Sequence, residues 1–219
     1  MAKILITGAA GGFGSLTVTQ LVSEGHMVVG TARDIGGRNK SKVTELEKLG
    51  VKIVEMNITD DASVARAVEL AVNQMEGMDV LVNNAGVGVL GLTEAFTADD
   101  VKKIFDVNVV GVHRMNRAVL PVMRKSGKGL VINISSLLGR ITVPFYGPYN
   151  ASKWALEGLT ENYLTEVSQL GIEVCIVEPG GYPTTFIDHL VRPSDKDRSK
   201  AYGPMGDMPE AFLQNFEKA

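Results

Sequence analysis

Short, continuous apolar runs alternate with amphipathic stretches along most of the chain. The runs are Lys3-Ile4-Leu5-Ile6-Thr7, His26–Thr31, Lys52–Met56, Asp79–Asn83, Leu130–Ile134 and Ile172–Val177. Each is too short for a typical helix and apolar at consecutive positions. That pattern predicts strands buried on both faces. Between them the apolar residues recur every three or four positions. One such stretch runs from about Gly14 to Glu24 and is closed by Gly25; a second runs from Ser41 to Leu49 and is closed by Gly50. Glycine after the last periodic residue is a helix stop. After Asp61, residues Val64, Val68, Ala71, Val72 and Met75 fall on one stripe. Further helices are predicted near Ala98–Phe105, Asn108–Arg124 and Pro209–Phe216. Another follows Pro148, with Leu156, Leu159, Tyr163, Val167 and Leu170 in helical register. Strand–helix alternation of this kind predicts an α/β fold: a doubly wound parallel sheet with helices on both faces and ligands at the strands' carboxyl ends.

Composition narrows the function. The 219 residues suit one domain, and neither an internal repeat nor a linker interrupts them. A net charge of −3 with interspersed signs leaves no basic footprint for nucleic acid. No apolar run reaches membrane-spanning length and no signal peptide is visible, so neither a membrane nor an export route is expected. The single cysteine, Cys175, rules out a disulfide framework within the chain and fits a reducing, cytoplasmic location. It lies in the sixth strand run and is expected to be buried. His26, His113 and His189 show no metal-ligand spacing, so no metal is expected.

Two stretches carry candidate chemistry. Thr7-Gly8-Ala9-Ala10-Gly11-Gly12-Phe13-Gly14 sits between the first strand and the first helix. Glycines there permit a tight turn and close approach, and the helix amino end offers free N–H groups to a pyrophosphate. The second stretch begins with Ser136, just past the fifth strand, and ends at Tyr149 and Lys153. Residues four apart on a helix share a face. An ammonium beside a phenol favours phenolate, lowering a pKa that is ordinarily about 10 toward a range useful for proton transfer. A hydroxyl at the end of a strand can orient a substrate oxygen. Alone, a Tyr–Lys pair is commonplace; beside a dinucleotide site it becomes a catalytic candidate.

With these motifs in order the chain resembles the short-chain dehydrogenases/reductases, in the group with Thr-Gly-x-x-x-Gly-x-Gly and Tyr-x-x-x-Lys. The resemblance runs from Lys3 to about Thr185. Gly8, Gly12, Phe13 and Gly14 match the cofactor loop, and Asn83-Asn84-Ala85-Gly86 matches the segment after the fourth strand. Pro179-Gly180-Gly181-Tyr182-Pro183-Thr184 matches the segment that contacts the nicotinamide carboxamide. The resemblance implies a Rossmann-type sheet of order 3-2-1-4-5-6. It implies a catalytic set of Asn108, Ser136, Tyr149 and Lys153. Tyr149 exchanges the proton, Lys153 lowers its pKa and binds the nicotinamide ribose, Ser136 holds the substrate oxygen, and Asn108 fixes backbone geometry and a relay water. The implied cofactor contacts are Gly8, Gly12, Phe13, Gly14, Arg33, Asn57, Ile58, Asn83, Ala85, Gly86, Tyr149, Lys153, Pro179, Gly180 and Thr184. The implied reaction interconverts a secondary alcohol and a ketone by hydride transfer with NAD(P).

Asn57 stands where the family has an aspartate for the adenine amino group, and Phe13 where it commonly has a smaller aliphatic residue. At the end of the second strand, Ala32 takes the usual acidic position and Arg33 follows. An arginine there suits a 2′-phosphate, hence NADP; Asp34 keeps NAD open. Val87, Leu90, Leu137, Leu138, Phe145, Tyr146, Tyr182 and Phe186 are candidates for a partly apolar substrate pocket, and residues 182–219 for a variable lid and C-terminal segment of a single domain spanning 1–219. The family's seventh strand is not readable: either the chain is truncated or partly ordered, or the sheet ends at six strands. The family commonly dimerises through the helices beginning near Asn108 and Tyr149, so a homo-oligomer is expected, with Trp154 near its interface. The alternative is a catalytically silent NADP-sensing protein of the same fold. Such proteins usually lack the tyrosine or lysine, and both are present here.

Overall fold

A computed structural model describes residues 1–182 and 186–216, the side chains of Asn215 and Phe216 excepted. Six parallel strands form one sheet: β1 (Lys3–Thr7), β2 (Met27–Ala32), β3 (Lys52–Glu55), β4 (Val80–Asn83), β5 (Gly129–Ile134) and β6 (Ile172–Val177). Their spatial order is β3-β2-β1-β4-β5-β6. In register, Leu5 of β1 lies between Val29 of β2 and Leu81 of β4. The order reverses between β1 and β4, and the carboxyl ends of those strands form the crevice where such folds bind ligands.

The helices are α1 (Gly12–Ser23), α2 (Lys40–Lys48), α3 (Asp61–Met75), α4 (Ala98–Phe105), α5 (Gly111–Ser126), α6 (Gly147–Val167), α7 (Lys196–Ala201) and α8 (Met208–Phe216). Local signals explain their ends. The Asp60 carboxylate caps α3 by accepting the Ser63 amide at 2.7 Å. Thr97 and Asp100 form a reciprocal capping box at α4. Gly127 closes α5 in the left-handed conformation. One face of the sheet carries the larger core, where Val64, Val68 and Met75 of α3, Met115, Val119 and Met123 of α5 and Val167 of α6 meet Leu5, Leu81, Val131 and Val174. The opposite face packs Ile4, Ile6, Val28 and Val82 against Val18 of α1 and Leu46 of α2.

Among the described residues that second layer of helices stops short of β5 and β6. Ile132 and Ile134 are only partly buried, and Val177 is exposed. The expected burial of Cys175 is therefore corrected: its thiol is exposed. Ile172 and Val174 point toward α6, and Cys175, one position out of phase, points to the open face. The described residues hold six strands, as the sequence pattern predicts. No helix among them is long and apolar enough to cross a membrane, and no group of metal-ligating side chains is found among them.

Candidate active site

The glycine loop is locked to the strand beside it. Thr7 Oγ1 accepts the amides of Asn84 at 3.0 Å and Ala85 at 2.9 Å. The Asn84 side-chain amide donates to the carbonyls of Thr7 at 2.9 Å and Gly8 at 3.2 Å. Gly8 has φ +68°, a conformation glycine adopts without strain. A Cβ on Gly14 would lie 2.1 Å from the Gly8 carbonyl oxygen, so α1 begins hard against the loop. No side chain caps α1. Its first amides, which have no intrahelical acceptor, are left for an anion. An uncapped helix amino end in this crevice fits the pyrophosphate of a dinucleotide.

Tyr149 and Lys153 lie in α6, only 7% and 5% exposed. Pro148 lies in the first turn, where its missing N–H costs no hydrogen bond. The Lys153 ammonium stands 5.6 Å from the centre of the Tyr149 ring and donates to the Ile134 carbonyl at 2.8 Å. The Ser136 hydroxyl faces the phenol, where it acts to lower the phenol's pKa, and accepts the Leu138 amide at 3.1 Å. The fold thus brings the three groups together. Their electrostatics differ from the sequence expectation. Burial pushes the Tyr149 phenol up to about 12, opposed by the neighbouring Ser136 hydroxyl and helped by Tyr146. Burial pushes Lys153 down to about 8, opposed by the charge of Glu157. The depressed tyrosine pKa expected from Lys153 is not met by the protein's groups alone, because desolvation of the buried ring is its largest influence and the Lys153 ammonium is not among the causes of the shift.

Asn108 sits in a π-helical turn, Asp106–Val110, that joins α4 to α5. Its side chain accepts the Val87 amide and donates to the Val87 carbonyl, both at 2.9 Å, and donates to Ser152 Oγ at 3.0 Å. A Cβ on Gly86 would stand 3.3 Å from Asn108 Oδ1 and 3.9 Å from Lys153 Nζ. Asn108 therefore fixes the strand-end loop beside Lys153, without a direct bond to the phenol. The turn is braced by Arg114, which donates to the Asp106 carbonyl at 3.3 Å and carboxylate at 2.7 Å.

Several implied cofactor contacts have other partners. Asn83 is buried and donates to Asn116 at 2.9 Å and Asn133 at 2.8 Å. Asn133 passes the network on to Thr160 at 2.8 Å. The Asn57 carbonyl already accepts the Thr59 amide at 3.3 Å and hydroxyl at 2.9 Å. Ile58 packs its side chain in the larger core. Ala85 and Gly86 follow β4 into the crevice, and Pro179 accepts the Leu137 amide at 2.9 Å, with Gly180 exposed beside it. Thr184 lies outside the described residues. Thr7 and Asn84 build the loop and were missed as site residues; their neighbours in the motifs carried the signal. Arg33 is exposed at the end of β2. Asp34 turns its carboxylate back to accept the Arg38 amide at 2.9 Å.

The substrate candidates separate. Phe186 lies 5.9 Å from the Tyr149 ring, and Leu138 and Tyr146 pack in the same cluster as Tyr149, Val89 and Phe96. Phe145 and Tyr146 meet Phe212 of α8 at 5.8 and 6.5 Å, while Leu90 is fully buried with Leu190 and Leu213. The Val87 backbone is held by Asn108. Leu137 is exposed, and Tyr182 contacts Phe13 rather than Tyr149.

The family described as short chain dehydrogenase matches residues 2–195. A 3-ketodihydrosphingosine reductase of Bacteroides thetaiotaomicron is 39% identical over 215 residues, covering 98% of this chain and 74% of that protein. Retinol dehydrogenase 8 of Bos taurus is 35% identical over 195 residues, covering 86% of this chain and 61% of its own length; the chain spans less than two thirds of that relative. A crystal structure of a short chain dehydrogenase/reductase from Burkholderia phymatum in complex with NAD superposes with TM-score 0.80 at 29% identity, over 86% of this chain and 69% of that one.

Proposed function

The chain belongs to the short-chain dehydrogenase/reductase family and is an NAD(P)-dependent oxidoreductase; from that premise we propose that it interconverts a secondary alcohol and a ketone, with Tyr149 as general acid and base. The observation that carries this reading is the convergence of the Tyr149 phenol with the Ser136 hydroxyl and the Lys153 ammonium, beside the uncapped amino end of α1. When bound, the nicotinamide supplies or accepts the hydride and, oxidised, adds a positive charge that favours phenolate. Ser136 and Tyr149 hold the reacting oxygen between two hydroxyls. In reduction the phenol gives its proton to the developing alkoxide; in oxidation the phenolate removes it. Lys153 would hold the nicotinamide ribose, and while protonated its charge favours the phenolate. Asn108 maintains the Val87 loop beside Lys153. Tyr146, Leu138 and the buried cluster of Val89, Phe96 and Ile104 exclude water from the phenol's ring.

The cofactor in this proposal is NADP. Arg33 offers a guanidinium for a 2′-phosphate, while the Asp34 carboxylate, the acid that would favour NAD, is bound within its own turn. The substrate is partly apolar, in keeping with the aromatic wall of Phe145, Tyr146, Phe186 and Phe212. Two relatives are named for ketodihydrosphingosine and retinol, both lipids. The protein works as a homo-oligomer joined through α5 and α6, where Val110 just before α5 and Trp154 and Leu164 of α6 are exposed. The cytoplasmic location read from the lone cysteine belongs to the same proposal. The test is the change in nicotinamide absorbance with NADPH and NADH against a panel of ketones and aldehydes of increasing chain length, and with the oxidised cofactors against alcohols. Turnover of apolar ketones is expected. Tight cofactor binding with no turnover across the panel would replace this reading with the silent sensor.

A further inference from the structure

One buried charge beside the site does not itself touch the reacting oxygen. Glu157 lies in α6 four residues beyond Lys153, on the same stripe, and is 4% exposed. A buried carboxylate is costly unless it is paired. Its charge partner is Arg140, whose Nη2 stands 3.0 Å from Glu157 Oε2. Arg140 comes directly after the 3-10 turn Leu137–Gly139 that Ser136 caps. The same guanidinium donates from Nε to Glu178 at 2.8 Å and lies 3.8 Å from Glu161. Glu178 immediately precedes Pro179, whose carbonyl accepts the Leu137 amide. One planar fork thus ties together the Ser136 turn, the Tyr149–Lys153 helix and the strand-end segment of Pro179 and Gly180. The packing beneath it is tight: a Cβ on Gly139 would meet Glu157 Oε1 at 2.7 Å and Ser135 Oγ at 2.9 Å.

Resting on the oxidoreductase reading above, we propose that Arg140 is a positioning residue, clamping the Ser136 turn to α6 through Glu157 and to the Pro179 segment through Glu178, so that the serine hydroxyl meets the Tyr149 phenol. Half of the Arg140 side chain is exposed, so solvent screens its bonds to Glu161 and Glu178. The contact with buried Glu157 is an ion pair at 3.0 Å rather than an aligned hydrogen bond, and its burial shields it from solvent, so charge attraction holds the turn to α6. Lysine cannot replace it, because a single ammonium cannot reproduce a fork that meets carboxylates on two separate elements.

The test separates stability from alignment. Arg140→Met leaves Glu157 buried without its charge partner, and thermal stability falls. Adding Glu157→Gln to the same chain removes that unpaired charge and returns the melting temperature toward that of the unaltered protein. If Arg140 positions Ser136, the double variant still turns over the best ketone of the panel, with kcat about tenfold lower than Glu157→Gln alone, which carries the same effect on Lys153, and with KM for that ketone changed less than kcat. Arg140→Lys also keeps the melting temperature without restoring kcat. A kcat in the stable double variant equal to that of Glu157→Gln alone would overturn the proposal and make the cluster a matter of stability alone. Amide hydrogen exchange supplies a second reading that needs no substrate. The Leu137, Gly139 and Arg140 amides are expected to exchange faster in the double variant, with α5 amides unchanged; unaltered exchange in the turn also overturns the proposal. If the unaltered protein turns over no member of the panel, the oxidoreductase assignment of the substrate fails, and the exchange measurement still decides the role of Arg140.

Discussion

The ring of Tyr182 meets that of Phe13 edge-on, centroids 5.6 Å apart and planes inclined at 74°. Phe13 belongs to the first turn of α1, and Tyr182 follows the Pro179-Gly180-Gly181 segment, so the pair bridges the two flanks of the crevice. An aromatic pair of this geometry contributes about 0.5–1.5 kcal/mol beyond the area it buries. Phe13→Leu and Tyr182→Leu are each expected to weaken NADPH binding about two- to tenfold, measured by nicotinamide fluorescence titration. Equal affinities in the variants and the unaltered protein would show that the bridge does not bear on the cofactor.

Tyr149→Phe removes the hydroxyl and keeps the ring that packs on Phe186. Turnover is expected to fall by roughly 10²–10⁴-fold, the usual weight of a positioned general acid. NADPH affinity and melting temperature are expected to change little. Steady-state assays on the best substrate of the panel check this, and near-native kcat would take the phenol out of the mechanism.

Arg33→Ala is predicted to reduce kcat/KM with NADPH about 10–100-fold, the loss of one charge-assisted bond, and to leave NADH nearly unaffected. A clear preference of the unaltered protein for NADH would overturn the choice of cofactor before any variant is made.

Burial of Lys153 links the active site to stability. Its folded value is pushed down to about 8 from an ordinary 10.5. Between those two values the folded lysine is neutral while the unfolded one still holds its proton. The unfolded state therefore binds more protons, and this group's contribution to stability rises with pH across that window. The contribution is complete above about 10.5 and lost as pH falls through about 8. Tyr149 acts oppositely from about 10 to about 12, where the folded phenol keeps its proton and the unfolded one does not. Lys153→Met should therefore gain melting temperature relative to the unaltered protein as pH falls from about 10 to about 7. Parallel melting curves for the two proteins over that range would contradict the burial cost.

Much of this architecture was legible because its signals are local. Strand β1, helix α4 and strand β6 fall at the residues their apolar patterns predict, since period and capping depend on neighbours in sequence. The glycine loop and the Tyr149–Lys153 spacing were legible for the same reason. What failed depends on distant contacts. Cys175 is apolar in context, yet its exposure is decided by which helix covers the far side of β6. Asn83 and Asn84 are adjacent and chemically alike, but the strand pleat sends Asn83 into a buried network and leaves Asn84 to bind the glycine loop. The pKa of Tyr149 depends on how much of the ring is desolvated, which its distance in sequence from Lys153 does not contain. Helix α7 was missed: it is a short charged segment held by Arg198 bonded to Glu94 at 2.6 Å, a partner about a hundred positions away.

The π-helical turn at Asp106–Val110 holds a surplus residue relative to an ordinary α-helical path. Deleting one position there would improve the helix's own hydrogen bonding. It would also turn the upstream helix relative to α5 by about 100° and shorten the connection by about 1.5 Å. Asn108 would then face away from Val87, and both backbone groups it now satisfies would be orphaned. The irregularity is therefore a fixed phase offset between α4 and α5, and a sequence that repaired the helix would misplace the loop beside Lys153.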